Sequence, residues 1–85
     1  MIFLVQYHRP KGLLVKLVAF EESAQAEAEQ ARLAIELDLN KEKVDADYEV
    51  VLLQAESEAA LRRTHRRYFE DLKQMSTTSQ NASED

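Results

Sequence analysis

Hydrophobic and polar positions along this chain sort into five segments. IFLVQYH (Ile2–His8) and LLVKLVAF (Leu13–Phe20) are dense in β-branched, aromatic and other apolar residues and flank the polar stretch RPKG. Two such runs joined by a short connection containing Pro and Gly predict a β-hairpin. Pro10 is preset for the second position of a type I turn, because its ring holds φ near about −65°. Gly12 can adopt the left-handed conformation that closes a three-residue loop with a bulge. A loop of Pro10, Lys11 and Gly12 makes Arg9 face Leu13, and the strands then pair Tyr7 with Val15, Val5 with Leu17 and Ile2 with Phe20. Phe3, Val5, Tyr7, Leu13, Val15, Leu17 and Ala19 share one face in this register. Ile2, Leu4, Gln6, His8, Leu14, Lys16, Val18 and Phe20 share the other. A one-residue slip would scatter Gln6 and Lys16 onto opposite faces, so turn chemistry and burial pattern select the same pairing.

The third segment, residues 23–38, has helical spacing, with Glu22 or Ser23 as its N-cap. Ala24, Ala28, Ala31 and Ile35 form one apolar stripe, and Ala26, Leu33 and Leu37 form a second on nearly the opposite side. A surface helix normally has a single apolar face, so the second stripe asks for a second contact. NKEKVDAD then reads as a polar loop, and YEVVLLQA (residues 48–55) as a third strand, apolar on both faces as a covered strand would be. The fifth segment predicts a helix over residues 58–73, capped by Ser57. Leu61, Thr64, Tyr68 and Leu72 share one side of it, flanked by His65 and Phe69, while Arg62, Arg63, Arg66 and Arg67 occupy the other. The expected fold is therefore α+β, in the order ββαβα, over residues 1–74. Its three-stranded sheet is mainly antiparallel and takes the order 2-1-3 when the first strand lies in the middle. MSTTSQNASED, residues 75–85, is polar and aperiodic and reads as a disordered tail.

Composition narrows the function classes. At 45% hydrophobic and 32% charged, the 85 residues can form one small globular domain. Cysteine is absent, so disulfides and thiolate metal sites are excluded, and association with another chain is the remaining common support for so small a core. The N-terminal run is not preceded by basic residues and no small-residue cleavage pattern follows, so it does not read as a signal peptide. No apolar stretch approaches the roughly 18 residues of a membrane span. A cytoplasmic location is the default expectation. The net charge of −5 is unevenly spread: residues 21–60 hold twelve acids and three bases, whereas residues 61–73 hold five bases and two acids.

Candidate chemistry is sparse. His8 and His65 have no metal-binding spacing. The carboxylate pairs Glu21/Glu22, Glu27/Glu29 and Asp45/Asp47 fall on exposed segments, where nothing would raise a carboxyl pKa for acid–base work. Ser23 and Ser57 are accounted for as caps, and the one glycine, used in the hairpin, leaves no phosphate-cradling loop. The sequence thus predicts no catalytic, metal or cofactor site and a protein that is not an enzyme. Two helices on one sheet face would leave Ile2, Leu4, Leu14, Val18 and Phe20 open to water, beside the Leu33 and Leu37 stripe. These seven residues are the expected interaction surface of a homodimer, or of a complex with another protein. One helix on each face is the alternative, and it still leaves the second stripe uncovered. The four arginines form the second candidate surface, for an anion or nucleic acid. Along a helix Glu58 would partner Arg62, Glu70 would partner Arg66 and Asp71 would partner Arg67, which favours an ordinary solvated face over a nucleic-acid partner and leaves Arg63 unpaired.

Overall fold

The computed structural model describes residues 1–70, so the end of the second expected helix and the polar tail lie outside the described residues. Strands β1 (Ile2–His8) and β2 (Leu13–Phe20) form the hairpin, helix α1 spans Gln25–Lys41, strand β3 spans Tyr48–Gln54 and helix α2 spans Glu58–Thr64. Short 3-10 turns at Glu22–Ala24, Asp45–Asp47 and Arg66–Tyr68 complete the order. The sheet runs β2-β1-β3, with β1 antiparallel to both neighbours. The fold is the α+β arrangement that the pattern of apolar segments predicts.

The hairpin keeps the expected register from Ile2↔Phe20 to Gln6↔Lys16, then shifts by one residue to Tyr7↔Leu14 and His8↔Leu13. The cause lies in the turn. Gly12, at φ 63°, donates to the Arg9 carbonyl (3.2 Å), closing a four-residue turn rather than a three-residue loop. The extra residue is absorbed as a bulge at Val15, which lies 52% exposed. Leu14 therefore lies on the face of Tyr7 and not, as expected, beside Leu4 and Val18. Arg9 N–H reaches across to the Asp47 carbonyl (2.8 Å) and prolongs the β1–β3 ladder.

Both faces of β1 are covered. Ile2 and Leu4 on one face, Phe3 and Val5 on the other, are at most 2% exposed. Helix α1 packs over β1 and β3 on the Ile2 face, bringing Glu36, Leu39 and Asn40 beside Tyr48 and Val50. Ala28, fully buried, lets the helix axis approach the sheet closely. The segment after β3 covers the opposite face, where Tyr68 meets Tyr7 edge-on with ring centroids 5.2 Å apart. The helices thus lie on opposite sides of the sheet, and the two faces of the hairpin become two halves of one core.

The helix ends depart from expectation. Neither Glu22 nor Ser23 caps α1 through its side chain; the chain enters through the 3-10 turn, whose Ala24 N–H bonds to the Glu21 carbonyl (2.9 Å). The helix runs on past Asp38 to Lys41 and stops in a Schellman arrangement. Lys43 N–H bonds to Asn40 O (3.0 Å) and Val44 N–H to Leu39 O (3.0 Å), with Lys43 at φ 60°. Ser57 caps α2 as its sequence position predicts, its Oγ accepting from Ala60 N–H at 3.1 Å.

Candidate functional site

The four arginines at the end of α2 do not lie on one continuous helix. Thr64 Oγ1 bonds back to the Ala60 carbonyl (3.0 Å) and lies 2.9 Å from His65 Nδ1, and His65 leaves helical geometry at φ −125°, ψ 54°. The chain re-enters as the 3-10 turn Arg66–Tyr68, which rotates Tyr68 into the core and separates the four arginines into two groups.

Arg67 goes inward. Its Nη2 donates to Glu49 Oε2 (2.7 Å) and to the Tyr68 hydroxyl (2.8 Å), and the guanidinium lies 4.3 Å from the Tyr68 ring centroid. The Tyr68 hydroxyl in turn donates to the same Glu49 oxygen (2.6 Å). The arrangement replaces the expected outer-face position and makes Arg67 a brace between β3 and the C-terminal segment. Donation by Tyr68 and the charge of Arg67 outweigh burial and hold the Glu49 carboxyl below its ordinary value. Burial, reinforced by Glu49, pushes the Tyr68 phenol up to about 12, and the Glu49 hydrogen bond raises Arg67 further. Sequence reasoning missed Glu49. The signal was present: with β1 in the middle, Glu49 pairs with Tyr7 and falls on an otherwise apolar inner face, where a carboxylate needs partners.

Arg62, Arg63 and Arg66 remain outside and line an open depression of about 360 Å³. Arg62 is fixed: Nε and Nη2 donate to one Glu58 oxygen at 3.0 and 2.8 Å, and the guanidinium stacks 4.5 Å from the Phe69 ring centroid. Arg66 meets Glu70 only at 3.7 Å, and among the described residues Arg63 has no carboxylate within ion-pair distance.

The expected apolar surface is also divided. Ile2 and Leu4 are in the core under α1, because that helix covers their face of the sheet; Leu14, Val18 and Phe20 are half-buried on the edge strand β2. The second stripe of α1 remains open, with Leu33 51% and Leu37 55% exposed on the side opposite Ala28. Ala26, Gln30, Asn40 and Lys41 extend it along the helix, all exposed.

Both histidines make local packing and hydrogen-bond contacts. His8 Nδ1 accepts from Lys11 N–H (3.2 Å) and its ring packs edge-on against Tyr48, while His65 stacks beside Tyr68. Among the described residues, no three His, Asp or Glu side chains gather as a metal site would require, and no helix is long and apolar enough to cross a membrane. The chain matches no family model, no curated protein and no solved structure.

Proposed function

We propose that this chain is a non-catalytic interaction module that self-associates through the outer face of α1. The observation that carries the reading is the pair Leu33 and Leu37, one turn apart, each more than half exposed on the face turned away from the sheet. A second copy related by a twofold axis is the occupant that fits. Antiparallel packing sets Leu33 of one helix against Leu37 of the other and brings Lys41 toward the N-terminal part of the opposite helix, where Glu27 and Glu29 lie. Parallel packing would instead set Lys41 against Lys41 and acid against acid. The tight Glu49–Arg67–Tyr68 cluster among the described residues is read as a brace: its Glu49 carboxyl is lowered and its Tyr68 phenol raised, both away from neutral pH, whereas acid–base catalysis needs a pKa near the working pH.

A seam one helix wide is smaller than a standard interface of about 1,600 Å² and makes association concentration-dependent. Light scattering after size exclusion, over a range of loading concentrations, tests this. The expected mass approaches twice 9.8 kDa as concentration rises. Leu33→Glu combined with Leu37→Glu keeps the mass of one chain at every concentration, with an unfolding midpoint close to that of the unaltered chain at low concentration, because neither side chain belongs to the core. A wild-type chain that stays monomeric throughout defeats the reading.

A further inference from the structure

We infer that the depression between Arg62, Arg63 and Arg66 binds a single phosphate dianion, either free or as a phosphomonoester. This site is independent of the α1 seam and lies on the other side of the sheet. Three arginines line it, and two of them have a carboxylate partner. One partner, Glu58, is engaged through two hydrogen bonds with Arg62, and the other, Glu70, holds Arg66 at only 3.7 Å. Arg63 brings a complete set of donors with no acidic partner among the described residues. Among the described residues the local balance is one uncompensated positive charge, and the loose Arg66–Glu70 contact is the one a stronger acceptor would replace.

Guanidinium groups bind phosphate by two parallel N–H···O bonds, and a tetrahedral dianion can accept from two such forks at once. Arg62 serves as the fixed wall, already oriented by Glu58 and by the Phe69 ring beneath it. The helix break at His65 sets the composition of the site. It removes Arg67 to Glu49 and gathers the other three around a depression of about 360 Å³, ample for one phosphate group. A groove tracking a polyanion would need a longer basic stripe, and the chain's net charge of −5 opposes long-range attraction of nucleic acid.

The test is titration of the full-length chain with inorganic phosphate at low ionic strength and mildly alkaline pH, followed by backbone amide shifts. Saturable shifts confined to the segment around Arg62, Arg63 and Arg66 are expected, with a dissociation constant on the order of a millimolar. Arg63→Gln and, separately, Arg66→Gln weaken binding about tenfold, as loss of a charge-assisted pair implies. Glu70→Gln tightens it by removing the competitor, and Lys11→Gln, an equal charge change at the hairpin, leaves it unaltered. Phenyl phosphate binding as well as inorganic phosphate supports the monoester form; binding of inorganic phosphate alone limits the site to the free ion, still as inferred. Non-saturating shifts, or equal losses in the Lys11→Gln and Arg63→Gln chains, overturn the inference. So does single-stranded DNA whose affinity grows steadily with length, which would make the surface a polyanion groove.

Discussion

Tyr68 is held by three different interactions, and each has a separate experimental signature. Its ring packs on Tyr7, its hydroxyl donates to Glu49, and Arg67 lies over its face. Because its pKa in the folded chain stands near 12 against an ordinary value of 10.0, the folded state keeps a proton that the unfolded state has lost between those values. The stability Tyr68 contributes is therefore fully present below about pH 10 and falls as pH rises toward 12. Glu49 has the opposite sign. Its lowered pKa gives stability that is present above its ordinary value of 4.5 and lost as pH falls below it. In a spectrophotometric titration, Tyr68 should ionise well above the ordinary tyrosine value of 10.0, as a late step. Tyr68→Phe removes that late step, lets the Glu49 pKa rise, and destabilises the chain by about 1–2 kcal/mol through the lost charge-assisted bond. A Tyr68→Phe chain with an unchanged alkaline limb would show that another group controls it. Lys43 is a simpler case. A left-handed conformation costs a side-chain-bearing residue about 1–2 kcal/mol, and here Lys43 adopts it with φ 60° to close α1. Lys43→Gly should raise the urea midpoint at constant slope, a gain of about 0.5–1 kcal/mol after the added entropy of the unfolded chain is deducted.

Elements were legible where a local signal and a tertiary demand agreed. The hairpin had both: alternation placed Gln6 beside Lys16, and Gly12 supplied the positive φ that the turn requires. The start of α2 had both as well, since Ser57 is the only side chain positioned to cap it and does so. Ser57→Ala should cost about 1 kcal/mol and lower helical circular dichroism slightly, because one N–H of the first turn loses its acceptor. The ends of both helices were not legible. No glycine marks the stop of α1, because the Schellman turn uses a lysine in its place. Nothing in LRRTHRRYF announces a break either, and its helical periodicity is genuine as far as Thr64. What ends α2 is tertiary: Tyr68 reaches Tyr7 and Glu49 only if the chain turns at His65. The i,i+4 pairs that favour continuing the helix contribute only about 0.2–0.5 kcal/mol each, less than a buried aromatic side chain gains. The same turn explains why four arginines that share one side of a helical wheel end in two places.

At the scale of the whole molecule, the surplus of apolar residues has a different destination from the one composition alone suggests. Two faces of the hairpin cannot both be covered by helices lying on one side, and that premise made Ile2 and Leu4 look available. With one helix on each side they are internal, and the sheet needs no partner face to face. Among the described residues the outer stripe of α1 stays open, and of the two outer strands, β2 and β3, each paired only with β1, β2 is the longer, at eight residues against seven. The β2 edge is the greater hazard, since the outward-facing N–H and C=O groups along LLVKLVAF offer a template for further strands. Two features oppose that. The bulge at Val15 interrupts the ladder, and Lys16 is the single charge on the strand. A second chain adding to this edge would have to desolvate the ammonium group or bring two lysines together. Lys16→Val should therefore leave the unfolding free energy within about 0.5 kcal/mol, as for other exposed substitutions, yet cause light scattering to rise with time and concentration. Lys16→Glu, which keeps a charge of the opposite sign, should stay as clear as the unaltered chain. Combining Lys16→Val with the α1 changes Leu33→Glu and Leu37→Glu separates the two surfaces: scattering that persists belongs to the β2 edge, and scattering that disappears means the α1 seam must form before strands can add.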